Sequence, residues 1–299
     1  MPVCTHCAYP ADYVYTTYKT KSNIRLGVCL RCDQFLDPLI EHPGLVILLD
    51  LILLKPRVFL HLLFNMGSPP FDADKGIAIP ALDQQRRREY QIRKDMMKLI
   101  LISAIAETAL RVLPHMISSS GVTPAHICAI AGTVFLEGIA QHIVTITLAL
   151  QALKHRRWYP CDPPEAEKDD AKSDGRQKHF LPTLIPLTIL YTSIIPLSLQ
   201  LLLMIWVTPS QSHLTTTSLF STLPFIVPQQ LLELERALIE AWAHTDKIWI
   251  GTRLLGGMSA GFGLRVLLPT KPWETTVIIL AGWMSAAFIG QMAERLLVK

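Results

Sequence analysis

Two C-x2-C pairs stand ahead of a chain dominated by long apolar runs. Together they predict a small zinc-ribbon-like N-terminal domain followed by an all-α polytopic membrane domain, with about six spans plus an interfacial or re-entrant half-helix pair. Half of the 299 residues are apolar and only 17% are charged, where a soluble domain carries about a quarter charged residues. The apolar residues also gather in runs of about twenty, the length that crosses a hydrocarbon core.

Residues 1–44 read as the polar module. Cys4 and Cys7 lie in CTHC and Cys29 and Cys32 in CLRC, with 21 residues between the pairs. Each C-x2-C turn presents two sulfurs to one metal, so two such turns close a four-sulfur tetrahedral site for a structural Zn2+. A closed thiolate set leaves no position for a catalytic water, and the metal therefore serves the fold. Two disulfides or a redox C-x-x-C are the competing readings, and His6 is a spare ligand inside the first turn. Tyr13–Tyr18 and Ile24–Val28 are rich in β-formers and predict strands. Lys19, Lys21, Arg25 and Arg31 are candidates for contact with anionic headgroups.

Residues 45–64 are apolar but broken by Asp50, Lys55, Pro56 and His61. A proline opens a helix more readily than it continues one, so two half-helices lying in the interface are expected. Residues 65–95 form a polar cytosolic linker, and residues 96–299 the multispan domain, with a charged loop at 153–179. Six spans are expected, at about 97–117, 126–152, 180–207, 218–243, 248–268 and 275–297. Lys and Arg crowd residues 86–98 and 154–178 and are missing from 115–125 and 208–217. Basic loops stay cytosolic, which puts both termini in the cytosol and the cysteines in a reducing compartment. The first twenty residues are polar, so no cleavable signal peptide is expected.

Charged and amide groups interrupt the spans: Glu107, Arg111, Glu137, Gln141, Arg265 and Gln291 are the candidate intramembrane polar contacts. A lipid-facing charge is costly, so these groups should face inward or pair, as Glu107 and Arg111 can across one helical turn. They make either a polar site for a lipid headgroup or hydrogen-bonding glue between helices. Leu110-Arg-Val-Leu-Pro114 recurs as Leu264-Arg-Val-Leu-Leu-Pro269 near the ends of the first and fifth spans, which suggests two related helix pairs.

No paired-histidine box, G-x-S-x-G elbow, P-loop or H-E-x-x-H occurs, so no enzyme is expected. Asp33 and Asp37 read as a solvated turn. A net charge of +4 does not point to nucleic acid.

The ordered set of CTHC, Ile24-Arg-Leu26, CLRC, Asp37, Glu41, Leu49-Asp-Leu-Ile-Leu-Leu-Lys-Pro56 and His61-Leu-Leu-Phe-Asn65 resembles the homology domain of the Arv family. Phe59 and Leu60 stand where the family pattern carries Tyr-Arg, so the role of that arginine is not transferred. The resemblance implies a zinc-binding cytosolic domain on a multi-pass endoplasmic-reticulum protein, with Golgi membranes as a second location. It also implies roles in sterol transport, sphingolipid metabolism and early glycosylphosphatidylinositol synthesis, with sterols, sphingolipids or glycosylphosphatidylinositol precursors as partners. Two functions stay open: moving lipid directly, or serving as a non-catalytic scaffold in a lipid-synthesis enzyme complex.

Overall fold

The structure is a computed structural model that describes residues 2–18, 24–72, 81–117, 123–159, 174–206 and 247–297. The N-terminal module is built on β1 (Tyr15–Thr17) and β2 (Ile24–Leu26), which pair antiparallel with Thr16 opposite Arg25. A third strand, β3 (Phe71–Asp72), returns after the half-helices to pair parallel with β1. Both cysteine turns end alike. Ala8 and Asp33, each directly after the second cysteine of its pair, take left-handed φ values of 57° and 55°. The N–H of Ala8 donates to Cys4 O at 2.9 Å, and that of Asp33 to Cys29 O at 3.0 Å. A core of Val14, Leu36 and the sulfurs is all the module buries for itself, too little for a forty-residue unit to fold without a staple.

The segment at 45–64 forms α1 (Gly44–Ile52) and α2 (Pro56–Leu60), with Pro56 opening the second helix. A π-helical turn, His61–Asn65, extends α2. The break is held by Asp50, whose buried carboxylate accepts from Lys55 Nζ at 2.5 Å and lies 3.6 Å from Arg57 Nε. One face of α1 leaves Leu45, Leu48, Leu49, Ile52 and Leu53 exposed, at the i, i+3, i+4, i+7 and i+8 spacing of a helical stripe.

The helical part comprises α3 (Ala81–Ile117), α4 (Pro124–His155), a one-turn α5 (Gly175–Lys178), α6 (Leu184–Trp206), α7 (Lys247–Leu267) and α8 (Pro272–Leu297). Three stretches are long and apolar enough to cross a membrane: Pro124–His155, Leu184–Leu203 and Pro272–Ala293. The expectation of six spans is thus reduced to three among the described residues. The helix α3, whose apolar half carries Lys98, Glu107 and Arg111, falls outside that set, and α7 contributes a shorter apolar stretch, Leu254–Leu267. The fourth expected span, 218–243, lies outside the described residues. The linker expected to run to residue 95 turns helical at Ala81, because α3 continues well beyond its apolar half.

Packing pairs α4 with α8, while α6 lies between α3 and α7. The absence of a side chain at Gly257 lets α7 approach the Trp283 ring, which a Cβ there would overlap. The N-terminal part is not separate from the bundle. Phe59 packs on Phe262 with centroids 6.1 Å apart, and the Gly175 N–H donates to Ala8 O at 2.8 Å. The described ends of the 153–179 loop are also docked. Arg156 Nη2 pairs with Glu274 at 2.6 Å, and Arg176 Nη1 donates to Val266 O at 2.8 Å.

Candidate functional site

Cys4, Cys7, Cys29 and Cys32 converge, with every sulfur within 4.8 Å of the others. Cys4 Sγ lies 3.7 Å from Cys32 Sγ and Cys7 Sγ 3.6 Å from Cys29 Sγ. A tetrahedral ion with 2.3 Å metal–sulfur bonds holds its sulfurs about 3.8 Å apart. The cage therefore fits a metal ion, and these contacts are far longer than the roughly 2.05 Å of a disulfide. Electrostatics agree. Burial pushes the Cys4 and Cys7 thiols up. At Cys29 burial acts in the same direction, but the backbone N–H groups of Arg31 and Cys32 and the side chains of Cys7 and Cys32 together lower the thiol. Four thiolates cannot gather here without a cation to replace their protons.

Beneath the cage lies a polar network that the sequence reading missed. Asp37, expected in a solvated turn, is fully buried. Its Oδ2 accepts from His61 Nδ1 at 2.7 Å and from Asn65 Nδ2 at 2.8 Å, while Oδ1 accepts from the Leu39 N–H at 3.1 Å. Asn65 spends its remaining capacity on the residue beside Cys4: its Oδ1 accepts from the Val3 N–H and its Nδ2 donates to Val3 O, both at 2.8 Å. Three side chains thus tie the metal module to the π-helical turn that packs on the bundle. The signal was present in the sequence, since His61 and Asn65 are two polar groups one helical turn apart in an apolar run.

The second site lies between the helices of the bundle. A cavity of about 740 Å3 opens among α3, α4, α6, α7 and α8, with walls from residues such as Ile100, Val134, Ile189 and Leu197. Its polar wall holds four of the expected contacts, Glu107, Arg111, Glu137 and Gln141, together with His142. The expected pairing of Glu107 with Arg111 is present, and a closer interhelical one joins it. Arg111 forks onto Glu137, Nη1 donating to Oε1 at 3.0 Å and Nη2 to Oε2, while Glu107 stands 3.9 Å from Arg111. The planar guanidinium reaches both carboxylate oxygens of α4 at once, a bidentate geometry that the neighbouring turn does not offer. Gly290 makes room, because a Cβ there would strike Glu137 Oε1. A further bond closes the other end of the cavity, Gln200 Nε2 donating to Thr252 Oγ1 at 2.5 Å.

Arg265 and Gln291 do not join this group: both side chains are exposed. Arg265 sits in the last turn of α7, where a long side chain reaches the headgroups, and Gln291 belongs to the final turns of α8. The two arginines of the similar segments are thus placed differently, Arg111 lining the cavity and Arg265 facing out.

The Arv1-like family model matches residues 3–227, three quarters of the chain. The chain belongs to the Arv1-like family. Among curated relatives, the arv1 protein of Schizosaccharomyces pombe is 48% identical over 66 residues, 22% of this chain and 25% of that protein. The ARV1 protein of Candida albicans is 28% identical over 101 residues, 33% of this chain and 34% of its own length. That of Saccharomyces cerevisiae is 35% identical over 63 residues, 21% of this chain and 19% of its own length. The similarity thus spans at most about a third of these relatives. No solved structure matches. The cage, the Asp37 network and the half-helices all lie within residues 3–227, the stretch that the Arv1-like family model matches.

Proposed function

We propose that this Arv1-like protein is an endoplasmic-reticulum membrane protein of sterol and lipid homeostasis that binds one compact amphiphilic lipid, of sterol size, between its membrane helices. The observation that carries the reading is the 740 Å3 cavity with one polar wall. Its volume lies within the range of about 300–1,000 Å3 typical of small-molecule pockets, and its lining of apolar side chains with a few convergent polar groups is what such pockets use. The apolar walls take the body of the lipid, and the Glu137 and Gln141 side of the cavity takes its hydroxyl. Intracellular sterol transport follows if that occupancy is exchanged between membranes; sphingolipids and glycosylphosphatidylinositol precursors are alternative cargo.

In this reading Cys4, Cys7, Cys29 and Cys32 hold a structural Zn2+, which supplies a rigid tetrahedral crosslink and no reaction. The protein is a binder and not an enzyme. Both termini face the cytosol, supported by the basic residues before α3 and after α4, and the exposed stripe of α1 lies in the cytosolic interface.

The test is photo-cross-linking of the full chain in microsomes with a photoactivatable sterol. Saturable labelling is expected, competed by unlabelled sterol and abolished by Ile189→Trp, which fills the cavity without touching the ion pair. Absence of saturable labelling in folded protein overturns the reading.

A second reading, an accessory scaffold for a lipid-synthesis enzyme complex, is favoured by the second cysteine turn. There Leu30 is 88% exposed and Val28 and Phe35 more than half exposed, a small apolar patch suited to a protein contact. Replacing Leu30 and Phe35 by Ser then releases a partner enzyme while sterol labelling persists.

A further inference from the structure

The cations drawn into the fold each meet a carboxylate: Lys55 and Arg57 at Asp50, Arg111 at Glu137, Arg156 at Glu274, Arg176 at Asp174. Arg88 is the exception among the described residues. It lies on the N-terminal part of α3 with its guanidinium 5.0 Å above the Phe64 ring, and Nη2 reaches only Leu63 O, at 3.5 Å. Its Nε is buried and finds no acceptor in the protein. Glu89, the adjacent acid, instead accepts from Gln85 Nε2 at 3.1 Å. Stacking on an aromatic face fixes the guanidinium plane but does not neutralise its charge.

A second orphan lies in the same neighbourhood. His179, just past α5, has a buried Nε2 with no acceptor or donor partner, and it feels the positive charge of Arg88, of Lys178 and of the chain's N-terminus. Its segment is fastened to the metal module through the Gly175–Ala8 bond. His179 thus adds a second unsatisfied nitrogen on a segment fastened to the module. Arg88 also lines a cleft formed with Pro2, Met66, Ser68, Pro69 and Gln84. The cleft measures about 20 Å3, room for one oxygen-sized group.

We propose that this cleft binds the phosphoryl group of an anionic ligand, with Arg88 as its charged anchor. A single phosphoryl oxygen enters, and the rest of the ligand stays outside. An anion supplies the negative charge that every other inward cation receives from a carboxylate, and a guanidinium edge matches phosphate oxygens in shape as well as charge. The chemistry is shared by the headgroup of an anionic phospholipid and by free phosphate. The site is separate from the sterol-sized cavity, and either can fail without the other.

The test uses the full chain in detergent and native mass spectrometry with phosphatidate, with phosphatidylcholine, and with inorganic phosphate as competitor. Phosphatidate is expected to be retained over phosphatidylcholine, with Arg88→Gln lowering retention about tenfold and Arg88→Lys less. Arg87→Gln, at an exposed neighbour, leaves it unchanged. Competition by phosphate identifies a free-anion site; its failure to compete identifies a lipid headgroup site. Equal losses from Arg87→Gln and Arg88→Gln mean diffuse surface charge and overturn the proposal, as does failure of the wild type to prefer phosphatidate. Should Arg88→Gln lose its cooperative melting, Ser68→Leu, which fills the cleft and keeps Arg88, carries the decision: a several-fold loss of retention supports the site, and no loss overturns it.

Discussion

In the N-terminal module, four sulfurs and three polar side chains join segments that are twenty to sixty residues apart, and little apolar surface is buried. In the helical bundle the pattern is reversed: glycine contacts and interdigitating aliphatic side chains pack neighbouring helices, and a few polar links, the part-buried Arg111–Glu137 pair among them, cross between them. Lipid tails are as apolar as leucine, so a membrane bundle cannot be specified by hydrophobicity alone and relies on fit. A small polar module lacks the area for a core and relies on bonds with fixed geometry. The first region should therefore fail all at once when one bond is removed, and the second by degrees.

The largest effect is expected from the metal. Replacing Cys29 and Cys32 by Ser removes two ligands from the cage, and structural zinc sites contribute on the order of 10 kcal/mol to folding. The N-terminal forty residues should lose protease resistance entirely and the purified chain should lose its bound zinc, read by elemental mass spectrometry. The bundle should keep its helical content. An intact, protease-resistant module in the double mutant would show that the metal is not what builds it.

Next in size is Asp37→Ala. It leaves His61 Nδ1 and Asn65 Nδ2 as buried donors without this acceptor, at about 1–3 kcal/mol for each group left unsatisfied. Because the network bridges the module and the π-helical turn, hydrogen exchange should speed up at Val3 and along His61–Asn65 while the metal stays bound. Asp37→Asn, which keeps an acceptor oxygen, should cost less. Unchanged exchange in Asp37→Ala would mean that the two parts are held together by packing alone.

The contrast also explains what the sequence revealed. The cysteine cage was legible because its ligands come in two local pairs with a spacing that few other structures require. The break at Pro56 was legible because proline chemistry is local too. The Asp37 network was not, since its members lie 24 and 28 residues apart, and an aspartate before a proline looks like any turn. In the membrane part, the polar residues themselves were visible but not their partners. Helical spacing offered Glu107 to Arg111, and only the packing of α4 against α3 could bring Glu137 closer. Arg265 matched Arg111 in its local sequence, yet its exposure depends on which side of α7 meets α6.

A smaller and more graded response is expected at Arg111 and Glu137. Removing one partner strands a charge in a low-dielectric site, whereas replacing both by apolar residues of similar volume is often close to neutral. Arg111→Met or Glu137→Met alone should therefore lower the melting temperature in detergent more than the double mutant does, with a coupling of about 1–3 kcal/mol. Additive losses would place the pair outside the bundle's polar glue and point to a ligand as the true partner of each.

The smallest effect sits at the seam between the two regions. Burial, and then the N-terminal charge, Arg88 and Lys178, holds the His179 imidazole down to about 3, against about 6.5 in an unfolded chain. Between those values the unfolded chain binds a proton that the native protein refuses, so stability falls as pH falls below about 6.5. From pH 7.5 to 6 the loss should be under about 1 kcal/mol, trimmed further by solvent reaching the ring. His179→Gln should flatten that slope in thermal melts, whereas Arg87→Gln should not. Because the loss arises where α5 docks on the module, it should appear as opening of that contact, with protection falling at Gly175 and Ala8 before the membrane helices respond. A slope that survives His179→Gln would assign the acid sensitivity to the metal cage instead, where protons compete with zinc for the four sulfurs.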